Sequence, residues 1–266
     1  MKRDIAWYSF GDGRAILFVH GWCMSSAVWG GQLTALAAKY RTVALDLRGH
    51  GQSGVPDDGL LGFNGFAADL TGLVEQLDLE KLILVGWSLG GQVVLKALKQ
   101  ISHRVSGVVL VGATPRFTAS EGFPYGLAPA EAEGMRLKLR RNTERALTGF
   151  QSRMFSESEL ADAECMKRCS SLLDEVVMPA QGAAIDGLEA LMLDDMTADA
   201  AEVASPTLVI HGSYDRICLP GASAWLEQSI KGSTRICYQG AGHALFMTEP
   251  ERFNKDLLDF AEGLDV

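Results

Sequence analysis

The chain has 266 residues, is 47% hydrophobic and 21% charged, and carries a net charge of −9 with a pI near 5.1. That size and mix suit one large α/β domain with an insertion. An acidic surface argues against nucleic acid or an anionic membrane as a main partner.

The opening Met1–Trp7 has no apolar signal core, and no later stretch is long enough to span a bilayer, so a cytoplasmic protein is expected. Ile5 to Tyr8 reads as a short edge strand. Ala15–Val19 is a continuous apolar run, the mark of a strand buried on both faces, and it ends in His20-Gly21-Trp22. Ser25 to Tyr40 has helical spacing. Thr42–Leu45 is the next strand and leads into the glycine-rich loop Asp46-Leu47-Arg48-Gly49-His50-Gly51-Gln52-Ser53. Phe63 to Leu77 reads as a helix. Leu82–Val85 is a strand that runs into Gly86-Trp87-Ser88-Leu89-Gly90-Gly91, with helical spacing from Gln92 to Leu98. Ser106–Val111 is a further buried strand. Strand and helix alternate to this point, which predicts a mostly parallel sheet flanked by helices.

The alternation stops at about Pro115. Residues 115–204 show only helical stretches broken by Gly and Pro, and are expected to form an inserted helical cap. Residues 1–114 and 205–266 are then the core. Strands return at Pro206–Ile210, followed by His211 and Asp215, and at Thr234–Tyr238, followed by Gly242-His243. Glu249 to Gly263 closes the chain as an amphipathic helix.

Gly-x-Ser-x-Gly between a strand and a helix is the setting of a nucleophile elbow. The sharp corner lifts the Ser88 hydroxyl clear of the sheet, and strand and helix cross too closely for a β-carbon at Gly86 or Gly90. A serine hydroxyl is a poor nucleophile at neutral pH. It needs a base, and the base needs a partner that fixes its tautomer. Ser88, Asp215 and His243 all lie just after predicted strands, at the sheet edge where open α/β folds bind ligands. They are the expected catalytic residues. The backbone N–H groups of Leu89 and Trp22 are the expected oxyanion hole. The indoles of Trp22 and Trp87 are expected to line the acyl pocket.

Asp46 also ends a strand, but it precedes the serine and is read with Arg48 as a brace of its loop. His20 and His211 are read as structural, and His50 and His103 as exposed. The five cysteines lack Cys-x-x-Cys spacing and read as buried or idle thiols. No His-x-x-x-His spacing or lysine-bearing phosphate loop points to a metal or nucleotide, and the serine chemistry needs no cofactor.

Together His20-Gly21-Trp22, Asp46-x-Arg48-Gly49-His50-Gly51-x-Ser53, Gly86-x-Ser88-x-Gly90-Gly91 and Gly242-His243 resemble the α/β-hydrolase superfamily over nearly the whole chain outside the insertion. More narrowly, Gly86-Trp87-Ser88-Leu89-Gly90-Gly91, His20-Gly21-Trp22 and Ala113-Thr114-Pro115-Arg116-Phe117 are similar to the BioH family. Its members are pimeloyl-[acyl-carrier protein] methyl ester carboxylesterases of biotin synthesis. The resemblance implies hydrolysis of a methyl ester on a carrier-bound acyl chain, with methanol released. It also implies the triad Ser88, Asp215 and His243, with Trp22 and Leu89 at the oxyanion and substrate site.

Residues 134–153 hold six cations against the single acid Glu144. On one continuous helix Lys138, Arg141 and Arg145 share a face, and Met135, Leu139, Ala146 and Phe150 lie opposite. A basic stripe on a cap suits an acidic acyl carrier protein whose arm enters beneath it. Where the resembling family has an aromatic residue after the second arginine, this chain has Ala146, and Phe150 one turn on is the expected substitute. The same triad would also serve a short-chain acyl esterase or a carbon–carbon bond hydrolase. The fold can also act as a non-enzymatic small-molecule receptor. A haloalkane dehalogenase is disfavoured, because its elbow nucleophile is Asp.

Overall fold

The computed structural model describes residues 5–55 and 61–264. The reading of Met1–Asp4 as free of a signal core lies outside them. In chain order the elements are β1 (Trp7–Phe10), β2 (Ala15–Val19), α1 (Gly30–Leu36), β3 (Arg41–Leu45), α2 (Phe63–Gln76), β4 (Leu82–Trp87), α3 (Leu89–Ile101) and β5 (Val105–Val111). Six helices follow: α4 (Pro129–Arg141), α5 (Thr143–Arg153), α6 (Glu157–Ala161), α7 (Ala163–Asp174), α8 (Gln181–Leu193) and α9 (Thr197–Ala201). The chain ends with β6 (Thr207–Gly212), α10 (Pro220–Ser229), β7 (Thr234–Tyr238), α11 (Leu245–Thr248) and α12 (Pro250–Gly263).

The described strands form one seven-stranded sheet in the order β1-β3-β2-β4-β5-β6-β7. Only β1 runs antiparallel to its neighbour. Every residue of β2, β4 and β6 is buried, as continuous apolar runs require when helices cover both faces. At the edge, β1 alternates: Trp7 and Ser9 face inward while Tyr8 and Phe10 are exposed. That alternation places the strand two residues later than Ile5–Tyr8. An aromatic cluster under the sheet, with Trp29 stacked on Phe246 at 4.1 Å, fixes the loop that follows β7.

Other parts of the chain also differ from the sequence reading. Ser25–Tyr40 is a 3-10 turn over Ser26–Trp29 followed by the short α1. No element is expected between Asp215 and Thr234, but Pro220 opens α10 there, because proline suits the first turn of a helix. The insertion is not purely helical: residues 117–127 fold back on themselves, with Leu127 N–H bonded to Phe117 O at 2.8 Å and Ala119 N–H to Leu127 O at 2.8 Å.

The basic stretch over 134–153 is not one helix. Asn142 adopts extended backbone between α4 and α5, and its side chain caps α5 by accepting the Arg145 N–H at 2.9 Å. An asparagine here competes for backbone hydrogen bonds better as a cap than as a helix interior residue. The two faces read on a continuous helix are therefore not opposed.

Candidate active site

The elbow is built as its glycines require. Ser88 has φ 55° and ψ −120°, a strained combination for a residue with a side chain. A β-carbon on Gly86 would lie 2.5 Å from Gly90 O, and one on Gly90 would strike the carbonyl of Val19. The strain is held by α3 on one side and β4 on the other. Leu89 is the first residue of α3, so its N–H has no acceptor within the helix and remains a donor at the corner.

Asp215 follows β6 and His243 follows β7. His243 Nδ1 lies 2.7 Å from Asp215 Oδ2, with both side chains buried. The other Asp215 oxygen accepts the N–H groups of Ile217 (2.8 Å) and Cys218 (2.9 Å). Burial works to raise the Asp215 carboxyl. The charge of His243 and hydrogen bonds from His211 and His243 outweigh it, and the group is held well below the usual carboxylate range. His243 Nε2 is buried and has no hydrogen-bond partner among the described residues. The Ser88 hydroxyl is turned toward Cys218, with Oγ to Sγ at 3.9 Å.

Trp22 lies in the turn after β2. Its indole N–H donates to Ala184 O of α8 at 2.9 Å, and its ring meets Phe150 edge-on at 4.8 Å. Both rings line a cavity of about 710 Å³ between α4 and α5. Trp87 does not line that cavity. It is buried beside the histidine, 5.3 Å from the His243 ring, and its Nε1–H donates to His243 O at 3.0 Å. Trp87 is the last residue of β4, and its ring meets Phe246 of α11 at 4.9 Å.

Lys138, Arg141 and Arg145 line the same cavity as Met135, Leu139, Ala146 and Phe150. The break at Asn142 turns both sets toward one space. Arg136 pairs with Glu133 and Glu189, Arg140 with Glu189, and Arg153 with Glu131. Lys138, Arg141 and Arg145 have no ion pair among the described residues.

The rival residues have other partners. Asp46 accepts the N–H groups of Ser26 (2.7 Å) and Gln52 (2.8 Å), bracing its loop. Arg48 forms a buried two-pronged pair with Asp69 of α2, both bonds 2.6 Å. His20 donates from Nδ1 to Gly21 O (2.8 Å) and accepts the Leu47 N–H (3.0 Å) at Nε2, joining the loop after β2 to the Asp46 loop. His211 Nε2 donates to Cys218 O at 2.8 Å and lies 3.3 Å from Asp215 Oδ2, so it is a second neighbour of the acid. His103 is exposed.

His50 is not exposed as expected; it is buried. Gly49 and Gly51, both at positive φ, fold the loop inward, and the His50 ring lies 5.3 Å from His20 and 6.1 Å from Phe66. Burial, then the neighbouring His20, push its pKa down to about 3. The thiols of Cys23, Cys165, Cys169 and Cys218 are buried, and Cys237 is half-buried.

Two residues beside the site carry signals that the motifs alone do not display. Gly112, directly after β5, has φ +48°, and a β-carbon there would lie 3.2 Å from His243 Nδ1 and 3.4 Å from Asp215 Oδ2. Its place at the carboxyl end of a buried strand is the available clue. Glu159 contacts the peptide before His243; its clue is the capping box Ser156-x-x-Glu159. Among the described residues no group of three or more His, Cys, Asp or Glu is placed to hold a metal, and no helix is long and apolar enough to cross a membrane.

Comparison with known proteins follows the same lines. A chain from Nitrosomonas europaea named pimeloyl-[acyl-carrier protein] methyl ester esterase is 32% identical over 248 residues, covering 91% of this chain and 94% of that one. A protein of the same name from Nitrosospira multiformis is 28% identical over 258 residues, covering 95% and 96%. Among solved structures, an esterase from Exiguobacterium antarcticum superimposes with a TM-score of 0.90 at 26% identity, over 97% of this chain and 95% of that chain. The model of the alpha/beta hydrolase fold family matches residues 14–250, and the chain belongs to that family.

Proposed function

We propose that the chain is a serine carboxylesterase, with Ser88 as nucleophile, His243 as general base and acid, and Asp215 as the group that orients His243. The observation that carries this reading is the buried 2.7 Å contact of Asp215 with His243 Nδ1, which leaves Nε2 without a partner beside the strained elbow. Rotation of the Ser88 hydroxymethyl group brings Oγ from Cys218 toward Nε2, a side-chain motion of picoseconds to nanoseconds. His243 takes the serine proton as Oγ attacks the ester carbonyl. The N–H groups of Leu89 and Trp22 hold the oxyanion. His243 then protonates the departing alcohol, and water activated by the same imidazole frees the acid. Three side chains and two backbone donors complete the cycle, so the chemistry calls for no cofactor.

In this reading residues 115–204 act as a cap over the core formed by 1–114 and 205–266. The substrate is the methyl ester of an acyl chain on an acidic carrier protein, such as pimeloyl-acyl-carrier protein. The names of the relatives from Nitrosomonas europaea and Nitrosospira multiformis support it, as do Lys138, Arg141 and Arg145, without an ion pair among the described residues, on a cap cavity that Trp22 also lines. Phe150 and Trp22 supply the apolar wall for the acyl chain. A cytoplasmic location fits such a partner. The test is methanol release from methyl pimeloyl-carrier protein, measured beside p-nitrophenyl acetate hydrolysis. Turnover of both supports the reading. Turnover of p-nitrophenyl acetate alone makes the protein a short-chain esterase, and a single turnover of either makes it a receptor.

A further inference from the structure

His243 is held by more than the triad. Its N–H donates to Met154 O at 2.7 Å, an acceptor shared with Ala244 N–H at 3.2 Å, and its carbonyl accepts the Trp87 indole N–H at 3.0 Å. The peptide just before it is held by one carboxylate. Gly242 N–H donates to Glu159 Oε2 at 3.0 Å, and the same oxygen accepts Ser156 N–H at 2.6 Å. The other oxygen accepts the Thr248 hydroxyl at 2.7 Å. Glu159 thus ties three pieces of chain together: the start of α6, the turn that carries His243, and the end of α11. The contact is close along its length. A β-carbon on Gly242 would lie 2.5 Å from Met154 O and 2.9 Å from Glu159 Oε2, so only glycine allows the two backbones to meet there.

We infer that Glu159 is a positioning residue for His243, setting the main-chain frame from which the imidazole reaches Ser88. The inference rests on the triad reading given above. Asp215 fixes the ring at Nδ1 only. Rotation about that contact, or a shift of the 242–243 peptide, would carry Nε2 away from Oγ. Met154 and Glu159 oppose that shift from the cap side, and Trp87 opposes it from the elbow side. Removing the carboxylate leaves the Gly242 N–H and the Thr248 hydroxyl without their acceptor and lets the turn relax. Misplacement of a reacting group by about 1 Å costs on the order of a hundredfold in rate.

The geometry also says which substitution should be tolerated. In Glu159→Gln the amide oxygen can occupy the Oε2 position and accept both backbone N–H groups. The amide nitrogen then faces Thr248 Oγ1, whose hydroxyl turns to donate to Leu245 O, now at 3.4 Å. In Glu159→Asp the side chain is one methylene shorter and does not span to Gly242.

The experiment measures p-nitrophenyl acetate hydrolysis per active site, with sites counted by a fluorophosphonate that labels the serine. Glu159→Ala should lower kcat about a hundredfold, with KM within about twofold, and Glu159→Gln should stay within about threefold of the parent. Should Glu159→Ala fail to fold, Glu159→Asp reads the same contact. Ser156→Ala removes the other half of the capping box and leaves the Gly242 contact, so its kcat per site should hold. Unchanged kcat per site in the folded Ala or Asp variant overturns the inference. Equal loss in Glu159→Gln makes the role one of charge and overturns it too, as does equal loss in Ser156→Ala, which makes it one of cap stability. Ser88→Ala separates the two levels. If it keeps its turnover, the triad reading falls and this inference with it. If it is dead while Glu159→Ala turns over normally, only the inference falls.

Discussion

Replacing Asp215 by asparagine puts the tautomer of His243 to the test. The carboxylate has two distinct sides. Oδ1 accepts two backbone N–H groups, from Ile217 at 2.8 Å and Cys218 at 2.9 Å, while Oδ2 faces His243 Nδ1 at 2.7 Å. An asparagine must choose which side receives its oxygen. With the oxygen toward His243, the amide NH2 would oppose two buried N–H donors, each costing about 1–3 kcal/mol. The oxygen therefore goes to the backbone pair and the NH2 points at His243 Nδ1. The imidazole then carries its proton on Nε2 and cannot accept one from Ser88. The expected loss in kcat is on the order of ten-thousandfold, or about 5.5 kcal/mol of barrier. The assay is p-nitrophenyl acetate hydrolysis near neutral pH with thermal unfolding as a check on the fold. A folded Asp215→Asn variant that retains more than a tenth of the parent kcat would refute the assignment of Asp215. A far greater loss in a folded Asp46→Asn variant would move the acid to the other loop.

Gly112→Ala should cost kcat more than stability, because its methyl group meets the Asp215–His243 pair at 3.2–3.4 Å in a positive-φ position; a drop of about tenfold or more per titrated site is expected, and an unchanged rate would mean the pair yields freely. Reversing Arg141 and Arg145 to Glu should lower kcat/KM for the carrier-bound ester on the order of tenfold more than for p-nitrophenyl acetate, and flatten its salt dependence. Equal losses on both substrates would point to a disturbed cap instead. His50 has a pKa of about 3 in the fold against the ordinary 6.5 of the unfolded chain, so its contribution to stability is whole above pH 6.5 and is lost as the pH falls toward 3. Urea unfolding of His50→Asn and the parent between pH 6.5 and 4 should show the parent losing up to about 1.4 kcal/mol more per pH unit; parallel pH curves would contradict a buried neutral imidazole.

What could be read in the sequence is what depends on short-range order. That Ser88, Asp215 and His243 come to one edge of the sheet was legible because Ser88 and Asp215 follow the apolar runs of the buried strands β4 and β6, His243 follows the part-exposed β7, and parallel strands end on one edge of the sheet. The elbow glycines were legible because a strand-to-helix corner sets its own steric rule. His50 was misread because a loop rich in glycine and polar residues resembles an exposed one. Its burial depends on the His20 and Phe66 rings, which the fold brings to it from other segments.

The basic stretch over residues 134–153 shows the same limit in electrostatic form. Its six cations are countable in sequence, but which of them are free to meet a partner is not. Arg136 and Arg140 share Glu189 across 53 and 49 residues of chain, Arg136 also pairs with Glu133, and Arg153 pairs with Glu131 across 22. Only after those pairs are removed do Lys138, Arg141 and Arg145 stand out, and only the turn at Asn142 sends them into one cavity with Phe150 and Trp22. A helix drawn straight through Asn142 places the same charges opposite Met135, Leu139, Ala146 and Phe150. The broken helix places them around a space that Trp22, in the turn after β2, also lines. A carrier's negative charge drawn to those cations would thus lie beside the cavity that its acyl chain has to enter, so steering and insertion would share one set of residues.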